Sequence, residues 1–168
     1  MKYDIIFLGG GQSGVFGAYE AAEKKEGAKI LIIDKGKMLK QRVCPKETLG
    51  KCVNCPTCSI IYGVSGAGAF SDGKYNITNE FGGTLYEYVG KKEAIDLMNY
   101  VDQINVENGG QDTKLYCNEN SHLKKVCMQN DLHLLSANVR HLGTDINYIV
   151  LENLYKQLKD CVDIHFNT

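Results

Sequence analysis

The 168-residue sequence has no long apolar run, only two prolines and no excess of charge of either sign. No stretch approaches the roughly 18 apolar residues of a membrane-spanning helix, so no membrane partner is predicted. The 19 basic and 20 acidic residues give a net charge of −1. Because a nucleic-acid-binding domain normally carries a basic face, no nucleic-acid partner is predicted either.

The N-terminus lacks the pattern of a secretory signal peptide, since Asp4 stands where an apolar core should begin. Without an export signal, the seven cysteines predict reduced thiols or metal ligands in the cytoplasm, and not a disulfide framework. An apolar content of 43% is typical of a globular chain, and the length predicts about one domain.

Two apolar runs flank a helical pattern at the start of the chain. Residues 3–8 do not alternate, as expected of a strand buried on both faces of a parallel sheet. Residues 12–26 have helical periodicity, and residues 28–34 form a second apolar run. The sequence therefore predicts a right-handed βαβ unit and an α/β fold with helices flanking a parallel sheet.

Downstream, the periodicity predicts three helices over residues 85–107, 121–130 and 145–158. Residues 132–139 are expected to be extended, and residues 162–166 to form a closing strand. The residues expected to face the core from the second and third of these helices are Leu123, Val126, Cys127, Ile149, Leu151, Leu154, Tyr155 and Leu158. Cys127 and Cys161 are interpreted as core residues.

Two segments between these regions differ in amino-acid composition from the rest of the chain. Residues 35–59 hold both prolines and four of the seven cysteines, and predict an irregular cysteine-rich insertion. Residues 63–73 are small and rich in glycine, which predicts a backbone that another group approaches closely.

A dinucleotide fingerprint follows the first predicted strand. Gly9, Gly11 and Gly14 have the required spacing, and Asp34 ends the second strand 20 residues after Gly14. The first glycine permits a tight turn, the second admits a pyrophosphate, and the third lets the helix pack closely on the sheet. The alternative is a glycine-rich turn without a ligand, but the agreement of strand, helix and acid favours nucleotide binding.

The same motif defines further candidate cofactor-binding residues. The helix N-terminus offers N–H groups of Gln12, Ser13 and Gly14 to an anion. The Asp34 carboxylate can accept hydrogen bonds from ribose hydroxyls and disfavours a 2′-phosphate, so NADP is not expected. Lys35, the next residue, is included in the site. FAD and NAD both use such a turn, and the motif alone leaves them open.

Four cysteines lie within 15 residues of the insertion, at Cys44, Cys52, Cys55 and Cys58. This spacing could hold an iron–sulfur cluster or zinc. The alternatives are unliganded thiols or a redox pair within the last three cysteines, and the spacing does not separate them.

Two polar segments are further candidates. The first, Ser71 and Asp72 with the two residues that follow, closes the glycine-rich stretch, and we interpret it as backbone and hydroxyl contact to a flat cofactor ring, with a plain turn as the alternative. Gly66, Ala67 and Gly68 belong to the preceding small-residue backbone that another group approaches closely.

Arg140 and His141 precede the third of the downstream helices. They could hold an anionic substrate or transfer a proton. Equally, Thr144 or Asp145 could be an N-cap and His141 a surface residue.

Several of these segments, in this order, carry a resemblance to a known family. They are the fingerprint, Arg-Val-Cys-Pro at 42–45, the cysteine triplet, Gly-Ala-Phe-Ser-Asp-Gly-Lys at 68–74 and Arg-His-Leu-Gly-Thr-Asp at 140–145. With them the chain resembles the N-terminal portion of poorly characterised FAD-dependent dehydrogenases of the glutathione-reductase-like flavoprotein group.

With the fingerprint, the resemblance implies an α/β, Rossmann-like FAD- or NAD(P)-binding fold that is incomplete in this chain. It also implies an FAD site and an oxidoreductase. Gly9, Gly11, Gly14 and Asp34 would bind the pyrophosphate and ribose, and residues 66–72 would lie near the flavin. Residues 140–145 would face the active site, and residues 162–166 would lead into a segment that touches the adenine.

Members of the family are longer, with a substrate domain and a returning segment that completes the pocket. We therefore expect this chain alone to be inactive. Its expected partners are a small-molecule substrate and an electron donor or acceptor such as NAD(P)H.

Overall fold

The computed structural model describes residues 2–168, which form two compact units. The first unit comprises the chain up to Ser71 together with Asn147–Thr168, and the second comprises Asp72–Ile146. The length alone predicted about one domain. The difference arises because the middle of the chain builds its own small sheet.

The first unit contains a three-stranded parallel sheet. Its strands are β1 (Ile5–Leu8), β2 (Ile30–Asp34) and β6 (Asp163–Phe166), in the order β1-β2-β6. Helix α1 (Gln12–Lys24) connects β1 to β2 and packs against both strands. The predicted α/β fold with a parallel sheet and flanking helices is confirmed, and this strand order is that of the first three strands of a doubly wound sheet.

The two N-terminal strands differ in burial. Ile30, Leu31 and Ile32 of β2 are buried, as expected for a central strand. In β1, however, Ile6 is 51% and Leu8 is 85% exposed, so the prediction that this strand is buried on both faces is wrong. The reason is that β1 pairs only with β2 among the described strands and covers the core with one face.

The insertion is largely irregular, as predicted. It contains a 3₁₀ turn at Leu39–Gln41 and a four-residue helix, α2 (Lys46–Leu49). The glycine-rich stretch forms a second 3₁₀ turn at Gly66–Phe70.

Helix α6 (Gly143–Leu158) supplies much of the apolar core from Asn147 onward. Leu151, Leu154 and Leu158 are buried as predicted, whereas Ile149 is exposed. The ring of Tyr155 meets that of Phe166 on β6 at a centroid distance of 6.3 Å. Cys161 is exposed, so its assignment to the core is wrong.

The second unit combines a small antiparallel sheet with three helices. The central strand is β5 (Asn138–His141), which pairs with β3 (Lys74–Ile77) on one side and β4 (Leu115–Cys117) on the other. The elements are β3 (Lys74–Ile77), α3 (Leu85–Val89), α4 (Lys91–Asn105), β4 (Leu115–Cys117), α5 (Ser121–Gln129) and β5 (Asn138–His141).

Two expectations for this unit are corrected. The helix predicted over residues 85–107 is divided at Gly90, which has φ +89° and ψ 155°. Leu123 and Val126 of α5 are exposed and not in the core. The end of the segment expected to be extended, residues 138–139, belongs to β5. Among the described residues no helix is both long and apolar enough to cross a membrane.

Candidate functional site

The fingerprint glycines form a tight turn between β1 and α1, here called the glycine turn (Gly9–Gly14). Gly9 has φ +105°, a conformation that a residue with a side chain rarely adopts. A Cβ atom at Gly14 would overlap the carbonyl oxygen of Gly9, so the helix can approach the strand only because this residue is glycine. Both glycines therefore have the structural roles that the fingerprint assigns to them.

Gly11 faces open space. Apart from its own atoms and those of its two chain neighbours, no atom of the described residues lies within 4 Å of the position that its Cβ would take, and its φ of −64° is accessible to any residue. Gln12, Ser13 and Gly14 form the first turn of α1, which has no side-chain cap and no acidic residue. The N–H groups of this turn can therefore meet an anion at Gly11.

Asp34 lies against the glycine turn, as its spacing predicted. Its Oδ2 accepts a hydrogen bond from the Gly10 N–H at 2.7 Å, and its Oδ1 accepts one from the Gly36 N–H at 2.7 Å. The residue is only 7% exposed. The carboxylate thus holds the backbone of the turn, while each oxygen retains a second lone pair for another donor.

A second loop borders the turn. The Ser65 N–H donates to the Gly10 carbonyl at 2.6 Å, and Ser65 and Gly11 form a parallel bridge. Ser65 is 1% exposed and has φ +66°, and its Oγ has no hydrogen-bond partner among the described residues. A buried hydroxyl without a partner beside Gly11 is the feature expected where a polar ligand group completes the site.

The remaining candidates in this unit surround the 3₁₀ turn. Gly68 packs on the side chain of Gln12, because a Cβ at this position would overlap the Gln12 amide. The Ser71 hydroxyl donates to the Gly68 carbonyl at 3.0 Å, Ala67 is exposed, and the Lys35 ammonium lies 3.5 Å from the Tyr62 ring centroid.

Asp72 lies in the second unit and on its surface. Its carboxylate accepts a hydrogen bond from Lys74 Nζ at 2.8 Å, and His141 Nε2 lies 3.7 Å from the same oxygen. The hydrogen bond from Lys74 lowers the pKa of Asp72. The structure therefore places the side chains of Lys74 and His141 next to this carboxylate.

Arg140 is not available for an anionic substrate. Its Nε and Nη2 donate to the two oxygens of Asp102 at 2.5 and 2.8 Å, and its Nη1 donates to the Thr113 carbonyl at 2.7 Å. Arg140 and Asp102 are both buried. The pair is thus a structural link between β5 and α4, and the anion-binding alternative for Arg140 is wrong.

The four clustered cysteines do not assemble a metal centre. Cys52 is exposed, and Cys44, Cys55 and Cys58 are partly buried. Across residues 2–168, no three side chains of His, Cys, Asp or Glu converge as metal ligands would. An iron–sulfur cluster or zinc at these residues is therefore not supported.

Two positioning residues escaped the sequence analysis. Asn147 is fully buried, and its Nδ2 donates to the Gly68 carbonyl at 2.9 Å. The guanidinium of Arg42 binds the loop that carries Ser65. No local signal marks the partners of these side chains, because both bind backbone carbonyl groups that are distant in the sequence.

Comparison with known proteins finds only distant similarity. No family model and no curated protein matches the chain. Among solved structures, similar folds occur in an L-amino acid deaminase from Proteus vulgaris (TM-score 0.41, 12% identity) and a glycine oxidase from Bacillus cereus ATCC 14579 (TM-score 0.45, 13% identity). The alignments cover 99% of this chain but 40% and 46% of those proteins. The chain thus spans less than half their length.

Proposed function

We propose that this chain is the dinucleotide-binding part of an FAD-dependent oxidoreductase. The observation that carries the proposal is the open space at Gly11, at the uncapped start of α1. Ser65 bridges to Gly11, and its buried hydroxyl has no hydrogen-bond partner among the described residues. A dinucleotide pyrophosphate fits both features, because it is anionic and offers acceptor oxygens to N–H and O–H donors.

The residues of the chain would bind and orient the cofactor. The N–H groups of Gln12, Ser13 and Gly14 would face the pyrophosphate. The Asp34 carboxylate would use a remaining lone pair to accept a hydrogen bond from a ribose hydroxyl. Bound FAD would supply the acceptance and release of electrons or hydride. The choice of FAD over NAD rests on the resemblance of residues 68–74 and 140–145 to FAD-dependent dehydrogenases.

The same proposal includes a substrate, a second redox molecule and a substrate domain. A small organic substrate would exchange electrons with the flavin, and a second molecule would complete the cycle. That molecule would be an electron acceptor if the substrate is oxidised, and an electron donor such as NAD(P)H if the substrate is reduced. The substrate domain and the segment that completes the pocket would lie in a longer protein, so we expect no turnover by residues 1–168 alone.

The first experiment is reconstitution with FAD. The full chain is incubated with excess FAD, desalted and examined by absorption spectroscopy, with NAD binding measured in parallel by calorimetry. Retention of the two flavin bands supports the proposal, whereas binding of NAD without FAD would replace it with a nicotinamide-binding domain. Binding of neither would exclude a self-sufficient dinucleotide site.

A pair of glycine variants separates binding from folding. Gly11→Ala places a methyl group in open space and should leave the melting temperature unchanged while FAD affinity falls at least about tenfold. Gly14→Ala, by contrast, places a methyl group on the Gly9 carbonyl and should lower stability. Unaltered FAD binding by Gly11→Ala would contradict the site.

A further inference from the structure

We propose that Arg42 is the positioning residue of this dinucleotide site, since its guanidinium holds the loop of Ser65 and Gly66 against the glycine turn. The inference rests on the proposed function for its consequence in binding. The claim that Arg42 holds the loop of Ser65 and Gly66 in place does not depend on which cofactor binds.

Arg42 is buried without a carboxylate contact. Its side chain is 4% exposed, and no ion pair joins it to an acidic residue in the part of the chain that the structure describes. Burial lowers the pKa of the guanidinium, and the nearby Asp34 and Cys58 oppose this shift. A buried guanidinium must satisfy its N–H groups, and here it does so with backbone carbonyls.

Four carbonyl groups from two stretches of one loop converge on the guanidinium. Nε donates to Ser59 at 2.9 Å, and Nη2 donates to Ile60 at 2.9 Å. Nη1 donates to Val64 at 2.5 Å, and Nη2 also donates to Gly66 at 2.8 Å. The guanidinium thus ties both ends of this loop together.

The tied loop is the one that borders the candidate pyrophosphate site. Val64 and Gly66 flank Ser65, whose N–H donates to Gly10. The position that a Cβ would take at Gly66 is 3.4 Å from the Gly11 Cα. On the other side of Arg42, the Phe70 ring centroid lies 4.7 Å from its Cζ. Fixing the two carbonyls on either side of Ser65 therefore fixes the buried hydroxyl beside Gly11.

Lysine cannot replace arginine at this position. Four acceptors arranged around a planar fork match the five N–H donors of a guanidinium, whereas an ammonium offers three donors from a single point. We therefore expect Arg42→Lys to restore only part of what Arg42→Ala loses. Lys37→Ala is the matched control, because it removes one positive charge from an exposed side chain of the same segment.

The first test is hydrogen exchange of the full chain without ligand. In Arg42→Ala, amides in residues 60–66 should exchange at least about tenfold faster, with Arg42→Lys intermediate and Lys37→Ala like the wild type. Amides of β2 and β6 should keep their protection. Unchanged exchange in residues 60–66, or equal acceleration in β2 and β6, would overturn a positioning role. If Arg42→Ala does not fold, Arg42→Lys decides the same comparison.

The second test is FAD affinity, measured by quenching of flavin fluorescence. Arg42→Ala should raise the Kd at least about tenfold, and millimolar ethylguanidinium should restore much of the loss by filling the vacated space. Equal affinity of wild type and Arg42→Ala would overturn the inference and leave the proposed function standing. Absence of FAD binding by the wild type would exclude a self-sufficient dinucleotide site, while the exchange experiment still decides the role of Arg42.

Discussion

At the scale of single residues, the acid of the fingerprint has a structural task. The Asp34 carboxylate accepts hydrogen bonds from the N–H groups of Gly10 and Gly36. These bonds hold the backbone of the glycine turn without any ligand. The sequence spacing predicted that this acid would reach the glycine turn. It did not indicate that backbone N–H groups would occupy one lone pair on each oxygen, because the position of Gly36 depends on the loop after β2.

Replacing Asp34 should therefore affect stability as well as binding. In Asp34→Asn, the amide nitrogen would meet one of the two N–H groups, which leaves a buried donor without an acceptor. We expect a loss of about 1–3 kcal/mol in the free energy of unfolding, measured by urea titration. Asp163→Asn, which alters an exposed acceptor of the Tyr3 hydroxyl, is the control and should change little. Equal stability of the two variants would contradict the role of Asp34.

The buried pair Arg140–Asp102 makes a second prediction at this scale. Arg140→Met leaves the Asp102 carboxylate buried without its partner, and breaking such a pair costs about 3–5 kcal/mol. Urea unfolding of Arg140→Met should show this loss. The double variant Arg140→Met with Asp102→Leu should recover much of it, because no charge then remains buried. A loss below about 1 kcal/mol in the single variant would argue against the pair.

At the scale of elements, one glycine decides where two helices separate. The apolar pattern of residues 85–107 predicted one helix, but Gly90 ends α3 and precedes α4. Its φ of +89° with ψ of 155° lies in a region that is essentially restricted to glycine. Glycine within an apolar helical pattern is compatible with either a continuous helix or a break, and the backbone angles decide between them.

Gly90→Ala should destabilise the second unit. The cost of holding alanine in this conformation is of order 1–3 kcal/mol, which thermal unfolding followed by circular dichroism can detect. Lys92→Ala alters an exposed residue in the first turn of α4 and serves as the control, with a change within about 0.5 kcal/mol. A neutral Gly90→Ala would mean that α3 and α4 can join into one helix.

At the scale of the whole molecule, surface ion pairs shape the response to pH. Lys40 Nζ lies 2.6 Å from Glu152 Oε1, and this hydrogen bond lowers the pKa of Glu152 and raises that of Lys40. The carboxylate contributes stability above its unfolded pKa, and this contribution is lost as the pH falls through the lowered pKa. The Lys40 contribution is present below its unfolded pKa and is lost as the pH rises through the raised one.

Removing the lysine should therefore reduce the loss of stability in acid. We expect the melting temperature of Lys40→Met to fall less than that of the wild type between pH 7 and pH 2. The difference should be small because both groups face solvent. Lys37→Met provides the control for a simple change in net charge. An identical pH profile for Lys40→Met and the wild type would show that the pair contributes nothing.

The sequence by itself determined the βαβ unit and the position of the candidate site. Glycine spacing, a buried strand and a terminal acid are local features within about 30 residues, and the backbone can satisfy them in few ways. The tertiary structure alone decided which residues support that site. The side chains of Arg42 and Asn147 and the backbone N–H of Ser65 bind carbonyl groups that only folding brings close. It also decided that Leu8 and Leu123 are exposed and that Arg140 meets Asp102, because burial and pairing depend on contacts between distant segments.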